Sequence, residues 1–232
     1  MNDSYKPIAK YYDLLSRWYS LGMISSCREA YLEEIVEAVS NNNELRVCFI
    51  GVGHGSEAIK VAKGGALVTV VDNSLSMLEV FNQNISRESA ELRSRVEVIH
   101  ADLRVFSRLL KCPYDWVIAN FFLNVFEKDE MKLVFEDICI CCKEEGVLVI
   151  SDFYLARGDS AESPIWLIRS LQIFYWYTAL LIFRFWVKNA FHPIYDYSDL
   201  LKQSGYRIID KKRLGFLGIK FFQSIRAQIA EK

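Results

Sequence analysis

The chain has 232 residues, with 28 Lys+Arg against 29 Asp+Glu, a formal net charge of −1 and a charged fraction of 25%. This length suits one α/β domain, and the near-zero charge argues against a nucleic-acid partner met through a broad basic face. Four Pro and eleven Gly exclude fibrous repeats and disorder, whereas 52% hydrophobic residues is slightly high for a soluble domain, so the place of that excess is informative.

In chain order, Met1 to Lys10 has no apolar run and no small-residue cleavage site, so no secretory signal is expected and the chain is expected in the cytoplasm. Residues 1–43 carry an apolar stripe at helical spacing (Leu14 and Leu15, Trp18, Tyr31, Ile35), broken by Asn41-Asn42-Asn43. Arg46–Ile50 (RVCFI) reads as a short buried strand running into Gly51, followed by a helix over 56–63. Strands are then expected at 66–71, 96–99, 114–119 and 146–151, with helices over 74–83 and 128–142. A helix near 197–204 precedes two final strands, 206–211 and 221–228, bridged by a turn at Gly215 and Gly218. Strands alternating with helices predict a doubly wound, Rossmann-like, mostly parallel sheet that ends in an antiparallel hairpin.

The apolar excess sits between the fifth strand and that hairpin. Residues 164–191 hold nine of the 32 aromatic side chains and three of the five Trp. The longest charge-free run there, Ser170–Phe183, covers 14 residues and is bracketed by Arg169, Arg184 and Lys188. A spanning helix needs about 20 apolar residues, so this segment is not expected to cross a bilayer. Four readings stay open: a helix packed on the core, an aromatic-rich helical cap over a substrate, a peripheral contact with a membrane surface, and a homodimer interface.

The six cysteines (Cys27, Cys48, Cys112, Cys139, Cys141, Cys142) form no framework. Cys139 and Cys142 have neither a second pair nor a nearby His, so reduced thiols and no metal site are expected.

Gly51-Val52-Gly53-His54-Gly55 follows the first strand and opens the next helix, where free backbone N–H groups face a ligand. Asp72 ends the second strand, 21 positions past Gly51, where a carboxylate can accept both hydroxyls of an adenosine ribose. A dinucleotide loop would place glycine three past Gly53, but Ser56 stands there. The G-x-G-x-G spacing favours S-adenosylmethionine, which has no pyrophosphate to seat.

Over roughly residues 46–152 the chain resembles the class I S-adenosylmethionine-dependent methyltransferases. Asp72 to Leu78 (DNSLSML) is similar to that family's acidic ribose-binding turn and the helix start after it, which implies cofactor contacts at Asp72, Asn73 and Met77. Ile99-His100-Ala101-Asp102-Leu103 is similar to the adenine-flanking loop, implying contacts from Ala101, Asp102 and Leu103. Asp115–Phe126 resembles the fourth strand and the loop beside the transferable methyl, implying Asn120 and Phe121. The glycine loop implies Gly51, Val52, Gly53 and Gly55, and Tyr11-Tyr12-Asp13 resembles an aromatic pair that covers the cofactor, implying Tyr12. Two positions depart from the family pattern: His54 stands where a small residue is commoner, and Phe49 stands where an acid usually faces the cofactor's ammonium group, so the methionine end would rely on the carbonyls of Gly51 and Asn120.

The resemblance implies one methyltransferase domain over 1–232, with residues 1–43 as an N-terminal helical cover and 153–196 as a substrate-cap insertion. A sulfonium donor leaves the protein to position the acceptor and, for an oxygen or acidic carbon, to remove a proton. Asp152 after the fifth strand, and His192 and Tyr195 after the aromatic segment, are the candidate catalytic residues. An aromatic cap suits a small hydrophobic, aromatic or quinone-like acceptor, and the segment order loosely resembles the ubiquinone/menaquinone C-methyltransferase branch. The other reading is a binding protein on the same fold, without turnover, whose aromatic face meets a partner.

Overall fold

The computed structural model describes residues 3, 5–42, 44–109, 113–156, 165–187 and 192–230, with the side chains of 183–187 outside the description. Its centre is a seven-stranded sheet in the order β3-β2-β1-β4-β5-β7-β6. The strands are β1 (Arg46–Ile50), β2 (Leu67–Asp72), β3 (Val96–His100), β4 (Tyr114–Asn120), β5 (Cys142–Phe153), β6 (Tyr206–Phe216) and β7 (Ile219–Ile229). β1 to β5 pair in parallel, and β7 runs antiparallel between β5 and β6. The central residues of β1, β2 and β4 are buried and mostly apolar, because both faces of a parallel sheet are covered by helices. The expected doubly wound sheet with its C-terminal hairpin is therefore present.

Three short helices, α1 (Tyr12–Ser20), α2 (Met23–Arg28) and α3 (Leu32–Asn41), precede the sheet. The break between the first two lies at Leu21 and Gly22, both at positive φ, where Gly22 N donates to Arg17 O at 3.0 Å and ends α1. Four helices cross between the parallel strands: α4 (Ser56–Lys63), α5 (Leu75–Ile85), α7 (Leu103–Leu109) and α8 (Lys128–Cys141); the short α6 (Ala90–Ser94) leads into β3. Neither α6 nor α7 is legible in the periodicity, because five and seven residues hold too little of a stripe. The C-terminal strands extend to Phe216 and from Ile219, so the hairpin turn is Leu217-Gly218, both at positive φ as a two-residue turn of this hand requires. Gly215 is not in the turn. It sits at a register shift within the ladder, where an added Cβ would lie 1.9 Å from Ile219 O.

The aromatic segment folds as one helix, α9 (Ile165–Val187), and α10 (Tyr197–Gln203) follows it. By length and composition α9 is apolar enough over Ile165–Ile182 to cross a membrane, but one face is packed on the domain. Trp176, Ala179 and Leu180 are buried with Phe153, Phe221 and Phe222, and burying an indole of this size stabilises by roughly 2–3 kcal/mol. Gln172 fastens the helix further, donating to Lys220 O at 2.6 Å and accepting from Ala156 N at 2.9 Å.

Candidate functional site

A cleft of about 570 Å³ opens at the C-terminal ends of β1, β2 and β4, where open α/β sheets bind ligands. The loop after β1 forms its floor. Gly51 and Gly53 line it; Gly55 does not, because its φ of +76° turns the chain into α4 with Phe81 packed against its Cα. A Cβ on Gly55 would lie 2.1 Å from Phe81 Cδ2, so its role is to close the turn and not to touch a ligand.

Asp72 binds this loop to β2. Its Oδ2 accepts from Val52 N at 2.9 Å and its Oδ1 from Ser74 N at 2.8 Å. Burial raises its pKa from the usual carboxylate value, opposed by the backbone donors of Ser74 and Val52. Val52, Asn73, Met77, Ala101 and Leu103 line the same cleft, as expected from their motifs. Asp102 lines it too, with both oxygens already held by Arg104 at 2.6–2.9 Å; that contact lowers its pKa and keeps it ionised.

The N-terminal segment crosses this part of the site. Asp3 accepts from Ser74 Oγ and Ser76 N, each at 2.8 Å, and so caps the start of α5 from a distant part of the chain. Asp3, Tyr5 and Tyr12 line the cleft, with the Tyr5 and Tyr12 rings edge to face at 6.0 Å.

Beside Gly53 lies a charged cluster that nothing in the sequence pattern reveals. The Arg28 side chain, 8% exposed, donates to Asp13 Oδ1 at 2.9 Å and places Nε 2.9 Å from Glu57 Oε1. Burial works against the guanidinium charge, but the carboxylates of Glu57 and Asp13 outweigh it and raise the pKa above its usual value. Arg28 Nε and Glu57 Oε1 face each other without hydrogen-bonding alignment, and the buried Asn120 Oδ1 has no hydrogen-bond partner. All three residues line the cleft. Glu57, in the first turn of α4, thus brings a carboxylate to the cleft that Phe49 also lines.

Asn120 Nδ2 donates to Arg28 O at 3.3 Å, and Phe121 lines the cleft at a φ of +52°. Ile24, Phe122, Val125 and Phe126 complete an apolar wall.

The three candidate catalytic residues do not line this cleft. Asp152 is fully enclosed, accepting from Tyr197 Oη at 2.5 Å, Asn124 Nδ2 at 2.8 Å and Phe153 N at 2.7 Å. Burial pushes its pKa up to about 6. His192 sets its ring nitrogens 2.7 Å from Pro193 O and from Asn124 O and stacks on Tyr195 at 4.3 Å, while Tyr195 donates to Phe126 O at 2.9 Å. These groups are spent on fixing the loop after β4 against β5 and the chain beyond α9. Topology placed Asp152 at the correct end of the sheet, but its side chain points behind the cleft wall.

Nor do the described side chains of α9 line the cleft; Tyr175 and Trp176 pack on Phe153, which meets Phe121 at 5.9 Å, so the helix stands one layer behind the wall. Burial pushes the thiols of Cys139, Cys141 and Cys142 up to about 12, which leaves them protonated and unreactive, and Cys112 lies outside the described residues.

Residues 47–146, just under half of the chain, match the family described as "Methyltransferase domain". Among curated proteins the chain is similar to a glycine/sarcosine N-methyltransferase of Aphanothece halophytica, 25% identical over 120 residues, which are 51% of this chain and 44% of that protein; the match thus spans less than half of the relative's length. Among solved structures it is similar to a magnesium protoporphyrin IX methyltransferase from Synechocystis with bound S-adenosylhomocysteine (TM-score 0.64, 18% identity, 98% of this chain and 100% of that one). It is also similar to the N-methyltransferase NodS from Bradyrhizobium japonicum with S-adenosylhomocysteine (TM-score 0.59, 14% identity, 88% of this chain and 86% of that one).

Proposed function

We propose that this chain, whose residues 47–146 match a methyltransferase domain, is a class I S-adenosylmethionine-dependent enzyme that transfers the cofactor's methyl group to a small apolar acceptor. The observation that carries the reading is one cleft holding both a ribose-type carboxylate, Asp72, and a set of polar groups suited to an amino-acid zwitterion. Arg28 suits a carboxylate, whereas Glu57 Oε1 and the unpartnered Asn120 Oδ1 suit an ammonium. A dinucleotide would leave that zwitterion-shaped cluster without a match.

The cofactor supplies, when bound, a methyl group already activated on a sulfonium. The residues of the chain then have three tasks. Asp72, Asn73 and Asp102 orient the nucleoside, and Arg28, Glu57 and Asn120 orient the amino-acid part. Phe121 with Ile24 excludes water and presents an apolar surface to the acceptor, which favours a flat or aliphatic molecule over a charged one. Asp152, His192 and Tyr195 act through position, by holding the loop that carries Phe121, Phe122 and Phe126.

Calorimetry with S-adenosylmethionine, S-adenosylhomocysteine and NAD tests the reading. Micromolar binding of the first two and none of NAD is expected, with Asp72→Asn weakening both by at least about tenfold. Absence of binding to either sulfur ligand overturns it. Binding without methyl transfer to any apolar acceptor in a radiolabel screen would favour the binding-protein reading.

A further inference from the structure

Three separate elements leave large apolar side chains in solvent around a single joint. On α9 the exposed set is Trp166, Leu167, Leu171, Ile173, Phe174 and Leu181, of which Leu167, Leu171, Phe174 and Leu181 lie opposite the face that carries Trp176 and Leu180. On α1 it is Leu14, Trp18 and Leu21, opposite the buried Ser16 and Ser20. At the tip of the β6–β7 hairpin it is Leu217, which is 92% exposed. The joint is a pair of tyrosines. Tyr19 of α1 stacks on Tyr175 of α9 at 4.6 Å and its hydroxyl bonds Tyr175 O and Thr178 Oγ1, while Tyr175 Oη donates to Tyr19 O at 3.1 Å. Tyr175 also meets Phe216 at 5.8 Å, which fixes the hairpin tip beside the same helix.

Charge identifies the occupant. From residue 163 to 195 the chain contains no Asp or Glu, only Arg169, Arg184 and Lys188 as charged groups. Arg169 is exposed on α9, and Lys220, whose carbonyl accepts from Gln172, adds an exposed cation beside the helix. The acid of α1, Asp13, is taken up by Arg28 and Arg17. A protein partner of ordinary surface would need mixed charge at its rim. A platform of Trp, Phe and Leu on a stretch whose charged residues from 163 to 195 are all cationic instead matches the boundary between anionic headgroups and acyl chains. We propose that α1, α9 and the β6–β7 tip together form a platform that docks the protein on an anionic lipid bilayer. The helix lies along the surface and does not traverse it, since Gln172, Trp176, Ala179 and Leu180 bind its other face to the domain.

The test is co-sedimentation of the full chain with vesicles of phosphatidylcholine alone and of phosphatidylcholine with phosphatidylglycerol. The native protein is expected to sediment with the anionic vesicles and to be released by carbonate. Trp166→Asp with Phe174→Asp should weaken this at least about tenfold. Leu217→Asp, on a different element, should weaken it too, and Arg169→Glu should reduce binding to anionic vesicles alone. Melting temperature and S-adenosylhomocysteine affinity serve as controls and should match the native protein; a native chain that docks without binding S-adenosylhomocysteine would fail the methyltransferase reading and leave this one standing. No sedimentation of the native protein, sedimentation unchanged in the double variant, or resistance to carbonate overturns the proposal. So does a dimer in light scattering that the double variant breaks while native protein ignores both vesicles.

Discussion

The side-chain amide of Asn124 donates to Asp152 Oδ1 at 2.8 Å, joining the loop after β4 to the end of β5. The carbonyl of the same Asn124 lies 2.7 Å from His192 Nε2, and Trp176 Nε1 of α9 donates to His192 O at 2.8 Å. The cleft wall, the sheet and the aromatic helix are thus tied together at one residue. Three polar side chains at the right end of the sheet act as a frame, since their hydrogen-bonding capacity is consumed within the protein.

Asp152 should leave a signature in the pH dependence of stability. Its pKa is near 6 in the folded protein, raised first by burial, against about 3.9 in an unfolded chain. The folded state therefore binds the proton more tightly, and stability falls as pH rises from about 4 to about 6, then levels off, by about 3 kcal/mol in total. Asp152→Asn removes this titration and can keep one acceptor and one donor in place. Urea unfolding should show the variant gaining on the native protein from pH 4 to pH 7; parallel curves would show that Asp152 does not titrate in that window.

Arg28→Met should separate the two ends of the cofactor. Affinity for S-adenosylhomocysteine should drop by about 10- to 100-fold, the worth of one charge-assisted contact. Affinity for 5′-methylthioadenosine, which lacks the amino-acid end, should stay within about twofold. Equal losses for both ligands in calorimetry would place Arg28 in a purely structural role.

Two glycines of the loop should respond differently to alanine. At Gly55 the new Cβ would meet the buried Phe81 ring at 2.1 Å, so Gly55→Ala should cost about 2–4 kcal/mol of stability. At Gly53 the nearest atom to a new Cβ is Arg28 Nη1 at 3.5 Å, an ordinary contact. Gly53→Ala should cost about 1 kcal/mol from its left-handed backbone and reduce cofactor binding more than it lowers the melting temperature. Calorimetry and thermal unfolding on both variants check the order.

Asp3→Ala should loosen the segment that crosses the cleft. Burial raises the Asp3 pKa, but the donors at Ser76 and Ser74 outweigh it, so the net shift is downward. The cap is therefore complete above the unfolded pKa of about 4 and is lost as pH falls below it. Faster trypsin cleavage after Lys10 at neutral pH is expected in the variant, together with faster dissociation of S-adenosylhomocysteine. Unchanged cleavage and release would show that Asp3 does not hold the segment.

Much of the sheet was legible because its signals are local. The runs Arg46–Ile50 and Tyr114–Ala119 are β-branched and aromatic without polar alternation, Gly51 follows β1 directly and Asp72 ends β2. The place of the glycine loop, Asp72 and Asp102 in one cleft was legible for the same reason, whereas the packing of Gly55 against Phe81 on another helix was not. Arg28, Glu57 and Asp3 were not legible. Arg28 meets Glu57 across 29 positions of sequence and Asp3 meets Ser76 across 73, and no periodicity encodes such contacts. Within α9, composition marks Trp166 and Trp176 alike, yet one is 70% exposed and the other 3%.

The sequence alone determined the doubly wound sheet, its terminal hairpin, the glycine loop and the acid at the end of the second strand, and the concentration of aromatic residues in one segment. These depend on residue type, spacing and short-range order. The tertiary structure decided which side of each element those residues present. It turned Asp152, His192 and Tyr195 away from the cleft, brought Arg28 and Glu57 into it, and set the aromatic helix behind the wall with its outer face in solvent. The physical reason is that a side chain's direction depends on what is packed against it, and in this chain the decisive partners come from distant stretches of sequence.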